Sequence, residues 1–241
     1  MKLPYLHKLT ATAGIALILL SACNMDCEKG SGHEAKVTRK VGAFTKIDVS
    51  GGFKLTLKQD SSSNITVSAD DNLLELIKTE IHGDELRIST GKKNICSELP
   101  MEITIGVKDL KAIDASGAVE IKTDGLLVAK DIKFDLSGST KLNMDMNAGN
   151  VQTQGSGATE INLRGQASSH SIDLSGAGKV YALDFVVGNY NISTTGATEC
   201  NINVLHELNV ESTGASSIKY RGNPDNVNNH KTGASSITKI N

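Results

Sequence analysis

Asp48, Asp114, Asp135, Gln154, Asp173, Ser193, Glu211 and His230 share one offset in this 241-residue chain: each stands three residues before the glycine of a recurring small-residue motif. If those glycines stack, Asp48, Asp114, Asp135 and Asp173 form an acidic column. Hard cations take several such oxygen ligands. Gln154 and Ser193 interrupt the column, however, and a solvated charged face is the ordinary setting of such residues. The sequence leaves open whether the column binds a cation.

A second column lies three residues after the glycines: Glu120, Lys141, Glu160, Lys179 and Glu199. Its signs alternate from repeat to repeat. Exposed pairs contribute only ~0–1 kcal/mol each, so the alternation favours correct stacking register and has no need of chemistry. A third column, five residues after the glycines, holds Asn143, Asn162 and Asn201. Stacked amides there are expected to hydrogen-bond along the stack as a structural ladder.

Catalytic constellations are harder to assemble. None of the six histidines is spaced as a metal pair. Walker and dinucleotide fingerprints are absent, and the glycine motifs run into strands where a phosphate loop runs into a helix. No catalytic residue, cofactor or metal site is assigned. The chain has no Trp and 3% aromatic residues, little for a carbohydrate platform or base-stacking surface to use. Formal charge is near balance at −2 with no basic block, which argues against nucleic acid.

Cysteine chemistry is more specific. Ala11 to Leu20 is an apolar run after Lys2 and Lys8, of secretory-signal length and too short to span a bilayer. It ends in Leu20-Ser21-Ala22-Cys23, which matches the lipobox of bacterial lipoproteins. The match implies a signal peptide over 1–22, cleavage before Cys23, and lipidation of Cys23 as the membrane anchor. Residues 23–40, polar with Gly and Ser, read as a flexible tether. Three cysteines then remain. An envelope location permits disulfides, and the odd count leaves at least one thiol unpaired within the chain. The states of Cys27 and Cys96 are not fixed by the sequence. Cys200 replaces an aliphatic residue of the repeat and is expected to be a buried free thiol. A Cys96–Cys200 bridge would have to cross four stacked repeats at ~4.8 Å each, well beyond the ~7 Å Cα limit.

The elements that would position these columns follow from the repeat itself. The motif glycines are Gly51, Gly117, Gly138, Gly157, Gly176, Gly196, Gly214 and Gly233; from Gly117 onward they are 21, 19, 19, 20, 18 and 19 residues apart. A fixed period of this size marks stacked supersecondary units. Four residues before each glycine and four after, the residue is apolar in most repeats, and two before in half of them: Ile113, Ala115 and Ile121, or Ile172, Leu174 and Val180. These period-2 positions share one face of a strand. Gly relaxes the backbone at the corner, and Ser, Thr or Ala beside it is small enough to stack. The leucine-rich pattern and the hexapeptide period are both missing. Parallel crossovers are overwhelmingly right-handed. The expected fold is therefore all-β: a right-handed parallel β-helix of about 19-residue coils over 111–241. Residues 41–110 form an enlarged first repeat and cap, with extra strands and one short helix near Asp70-Asp71-Asn72 and Leu73.

Those residues resemble a known family. The lipobox, Phe44-x-x-Ile47-x-Val49-Ser50-Gly51-Gly52-Phe53, the stretch Leu73 to Ile81, and the serial S-G-A-x-x-I-N motifs are similar to the putative autotransporter adhesin, head GIN domain family of bacterial envelope proteins. Gly157, Ile161 and Asn162, and Gly138, Leu142 and Asn143, match its signature. The resemblance implies a β-helix-like solenoid and no catalytic residues. The expected protein is a non-catalytic, lipid-anchored envelope lipoprotein, at the outer membrane, with an adhesin-like surface for a glycan or protein ligand. The alternative is a polysaccharide lyase or hydrolase on the same fold.

Overall fold

In a computed structural model, which describes residues 27–91 and 94–241, the alternating pattern becomes strands almost throughout. The described residues are all-β, with no closed barrel among them. The order is β1 (Glu28–Lys29), β2 (Glu34–Lys40), β3 (Lys46–Gly51), β4 (Lys54–Gln59), β5 (Asn64–Asp70), β6 (Lys78–His82), β7 (Glu85–Ser89), β8 (Ile95–Cys96) and β9 (Glu102–Val107). Then come β10 (Ala112–Thr123), β11 (Leu127–Gly196), β12 (Glu199–Gly214), β13 (Ser217–Arg221), β14 (Asn226–Gly233) and β15 (Ser236–Lys239). Residues 1–22 and Cys23, expected as signal and lipid anchor, lie outside the described residues.

Pairing is parallel wherever the repeat operates. β10 lies on β3 with Gly117 opposite Gly51, and on β4 with Ile121 opposite Leu55. Its other edge carries β11, with Gly117 opposite Gly138 and Glu120 opposite Lys141. β12 continues with Gly196 opposite Gly214, then pairs β14 with Gly214 opposite Gly233. The 70-residue run of β11 is not one straight strand, because its motif glycines sit on one another.

Burial follows the three expected positions. Ile47, Ile113, Phe134, Ile172 and Ile192 are buried, as are Leu55, Ile121, Leu142, Ile161, Val180, Cys200 and Ile218. Each buried aliphatic side chain contributes ~1.5–3 kcal/mol before ordering costs, so one repeat cannot fold alone while a stack can. Towards the C-terminus hydroxyls replace some of this apolar surface and satisfy each other. Thr194 donates to Ser212 at 2.9 Å, and Thr198 to Ser216 at 2.9 Å. In the last repeat the inward positions hold Asn229 and Lys231, both exposed. Polar residues suit a terminal repeat that nothing covers.

The enlarged first repeat differs from expectation in two ways. The short helix is a single 3₁₀ turn, Asp71–Leu73. Asp70 does not cap it: its carboxylate instead accepts from the Ser97 hydroxyl (2.6 Å) and the Gly32 amide (2.7 Å). The Arg39 guanidinium takes the Leu74 and Ile77 carbonyls at 2.8 and 2.6 Å, which removes acceptors a longer helix would use. The second difference lies within the 23–40 tether, where residues 28–29 and 34–40 are strands. β2 runs antiparallel to β5, β1 pairs with β8, and a Cys27–Cys96 disulfide closes the arrangement. β2 is held by backbone pairing and by polar side-chain bonds of Glu34, Thr38 and Arg39, and contributes only Val37 to the core margin, so its polar sequence reads as linker.

Candidate binding surface

The glycine column is the spine of the surface. A Cβ on Gly117 would meet the Gly51 carbonyl oxygen at 2.5 Å; the same close approach recurs at Gly138, Gly157, Gly176, Gly196, Gly214 and Gly233, each on the glycine one repeat before it. The residue after the glycine uses that carbonyl: the Ala197 amide donates to Gly176 and the Ala215 amide to Gly196, both at 2.9 Å. Only a residue without a side chain lets the corner backbones come this close.

The amide column is where structure and sequence part. Asn162 donates to Asn143 at 2.9 Å, but Asn201 is not the next rung. Tyr181 pairs with Asn201 in the β11–β12 register and occupies the rung between Asn162 and Asn201. Asn201 turns its amide to Glu199 at 3.1 Å. A longer ladder stands at an offset the sequence reading did not count: Asn209 donates to Asn191, and Asn228 to Asn209, both at 2.9 Å. Counting five residues before each glycine would have found it.

The acidic column stacks in part. Asp114 faces Asp48 on one side and Asp135 on the other. Burial, and then the Asp135 carboxylate, push the Asp114 carboxyl above its usual range. Arg87 reaches Asp48 at 3.1 Å and Lys133 reaches Asp135 at 3.8 Å. No cluster of three or more His, Cys, Asp or Glu suited to a metal ion occurs among the described residues. In the alternating column, Lys141 and Glu160 meet at 2.9 Å.

Two grooves follow these columns. One, of about 460 Å³, is lined by Asn143, Asn162, Tyr181 and Asn201 together with Asp145, Arg164 and Asp184. The second, of about 590 Å³, is lined by Asn191, Asn209 and Asn228 together with Asp173, Glu211 and His230. Inside the stack, His170 and Tyr190 are fully buried with ring centroids 5.4 Å apart. His170 Nε2 meets the Thr153 hydroxyl at 2.9 Å; His170 Nδ1 and Tyr190 OH have no hydrogen-bond partner among the described residues. Cys200 is free and buried, and burial raises its thiol pKa to about 12.

The sequence pattern of the putative auto-transporter adhesin, head GIN domain matches residues 43–224. The chain belongs to this family. Solved structures with the same fold include a putative adhesin of Bacteroides fragilis, 21% identical with a TM-score of 0.80, the alignment covering 88% of this chain and all of that one. A putative lipid binding protein of Parabacteroides distasonis is 18% identical with a TM-score of 0.72, over 90% of this chain and all of that one. A putative adhesin of Parabacteroides merdae is 19% identical with a TM-score of 0.66, over 90% of this chain and all of that one. At these identities the likeness is one of fold. No curated protein matches the chain. The head GIN domain of this chain thus presents corners, amide ladders and grooves on a packed stack.

Proposed function

We propose that this head GIN domain protein is a non-catalytic, lipid-anchored binding protein of the bacterial cell envelope, held at the outer membrane on its periplasmic or its surface side. In this reading residues 1–22 direct export, Cys23 carries the lipid, and the stack is a right-handed parallel β-helix whose outward columns form an adhesin-like surface for a glycan or protein ligand. The observation that carries it is the arrangement of the surface in a family named for adhesins: grooves open along ladders of amides and carboxylates fixed by a filled core. A rigid scaffold of this kind lowers the ordering cost of binding.

Two measurements test it. Cys23→Ala should move the protein from the membrane fraction to the soluble one; a native protein without acyl mass that still sediments with membranes would sink the anchor. Binding of purified protein to glycans and surface proteins, run beside lyase and hydrolase assays, tests the adhesin role. Turnover of a polysaccharide would favour the enzyme reading instead.

A further inference from the structure

Two irregularities of the repeat coincide at Tyr181. It is the only exposed Tyr or Phe side chain among the described residues, with 38% of its surface accessible. It also stands in a column otherwise given to amides, and cuts the Asn143–Asn162 ladder from Asn201. The pairing between β11 and β12 then slips immediately afterwards, between Ala182 and Val186. Phe185 turns into the core, while Leu183 and Asp184 rise at the groove's lip. Asn203 holds that bulge by donating to the Leu183 carbonyl at 3.2 Å. Bulges re-aim side chains next to functional sites. Neither change improves the stack: an Asn would extend the ladder, and an in-register repeat would avoid the bulge.

The groove these changes shape has a definite chemistry. Tyr181 offers an aromatic face, apolar in the ring and polar at its tip. Asn143, Asn162 and Asn201 supply amides that both donate and accept. Asp145 and Arg164, 3.9 Å apart, and Asp184 supply planar, bidentate-capable groups. Lys122 and Arg164 balance Asp145 and Asp184, so the groove selects against strongly charged ligands. Its volume of about 460 Å³ falls within the roughly 300–1,000 Å³ of small-molecule sites. Neighbouring rungs are ~4.8 Å apart, comparable to the length of one hexopyranose unit. The second groove has similar amides, but its one ring is the His230 imidazole, and it has no Tyr or Phe among its described lining residues.

We propose that the Tyr181 groove binds a neutral hexose oligosaccharide, one sugar packing its C–H face on the Tyr181 ring while neighbouring units hydrogen-bond to the Asn143, Asn162 and Asn201 amides and the Asp145 and Arg164 head groups. The assignment rests on the adhesin reading and names its ligand class. It gives the stray tyrosine and the bulge one common purpose.

The test is calorimetric titration of the purified protein with cello-, manno-, galacto- and chito-oligosaccharides, and with an oligouronide series for contrast. A neutral series should bind and the uronides should not. Tyr181→Asn should weaken binding by roughly tenfold or more while leaving the melting temperature equal or higher, since it restores a ladder rung. Tyr181→Phe should keep most of the affinity. Lys36→Ala, exposed on β2 and far in sequence from the groove, should keep all of it. Undiminished binding by Tyr181→Asn, loss on Lys36→Ala, or preference for uronides overturns the site. A native protein that binds none of the sugars overturns it too. If that protein still adheres to cells or surface proteins, the adhesin reading stands without this groove; if it adheres to nothing, both fall.

Discussion

A Cβ on Gly157 would stand 2.6 Å from the carbonyl oxygen of Gly138. The contact is backbone, so no side chain can swing aside. Gly157 also sits at a φ of 86°, where a branched residue is strained by about 1–2 kcal/mol before any clash. Gly157→Val is therefore expected to cost about 3 kcal/mol or more. Glu160→Gln, three residues on, loses the half-exposed ion pair to Lys141 while its amide oxygen can still accept from Asn162, and should cost ~0–1 kcal/mol. Thermal melts of the two variants decide this; equal losses would mean the stacked backbones are not what limits the corner.

The thiols should divide cleanly. Non-reduced peptide mapping should recover a Cys27–Cys96 pair and leave Cys200 unpaired. The Cys200 thiolate is disfavoured by burial, and a buried thiol of this kind is inert. Native protein should therefore resist iodoacetamide at Cys200, and label there only after denaturation. Labelling in the folded state would place Cys200 outside the core.

Much of this could be read in the residues because one steric rule repeats. The spacing of Gly117, Gly138, Gly157 and Gly176 reports the corner directly, and the inward register of Ile161, Val180 and Cys200 follows from period 2. Elements that do not bury apolar surface were silent. β2 is held by backbone pairing and polar side-chain bonds, so Glu34 to Lys40 carries no apolar pattern beyond Val37. The Cys27–Cys96 bridge needs that strand first, since only the folded cap brings the two cysteines together. Tyr181 gives no such signal, because the Asn143, Asn162 and Asn201 column skips the one repeat in which it stands. The Asn191–Asn209–Asn228 ladder is periodic in the sequence, five residues before Gly196, Gly214 and Gly233, but spans three repeats only.

Asp114 provides a test of the acidic column. Its carboxyl is raised above the ordinary value by burial first and by Asp135 next. A raised carboxylate penalises the fold while ionised. The penalty is fully present above the folded pKa and vanishes below the unfolded one. Asp114→Asn should therefore raise the melting temperature at neutral pH, and the gain should shrink to nothing as the pH falls through the carboxylate range. A destabilised variant at neutral pH would show that Asp114 holds a favourable contact, such as a bound cation.

His170 should make the fold acid-sensitive. Burial depresses its pKa from 6.5 to about 3, so the folded protein keeps it neutral where the unfolded chain takes up a proton. For a base with a lowered folded pKa, the stability is whole above 6.5 and drains as the pH falls from 6.5 towards about 3. The slope is about 1.4 kcal/mol per pH unit for one proton. The Thr153 hydroxyl complicates a single substitution, because His170→Leu leaves that buried group without its partner at a cost of about 1–3 kcal/mol. Replacing both removes the unmet hydroxyl along with the titrating ring. The Thr153→Val, His170→Leu double variant should thus be more stable than His170→Leu alone, and its urea midpoint should fall less steeply than the native protein's between pH 6 and 4. If the native and double-variant profiles run parallel across that interval, His170 takes up its proton within the folded stack, and water reaches the core beside Thr153.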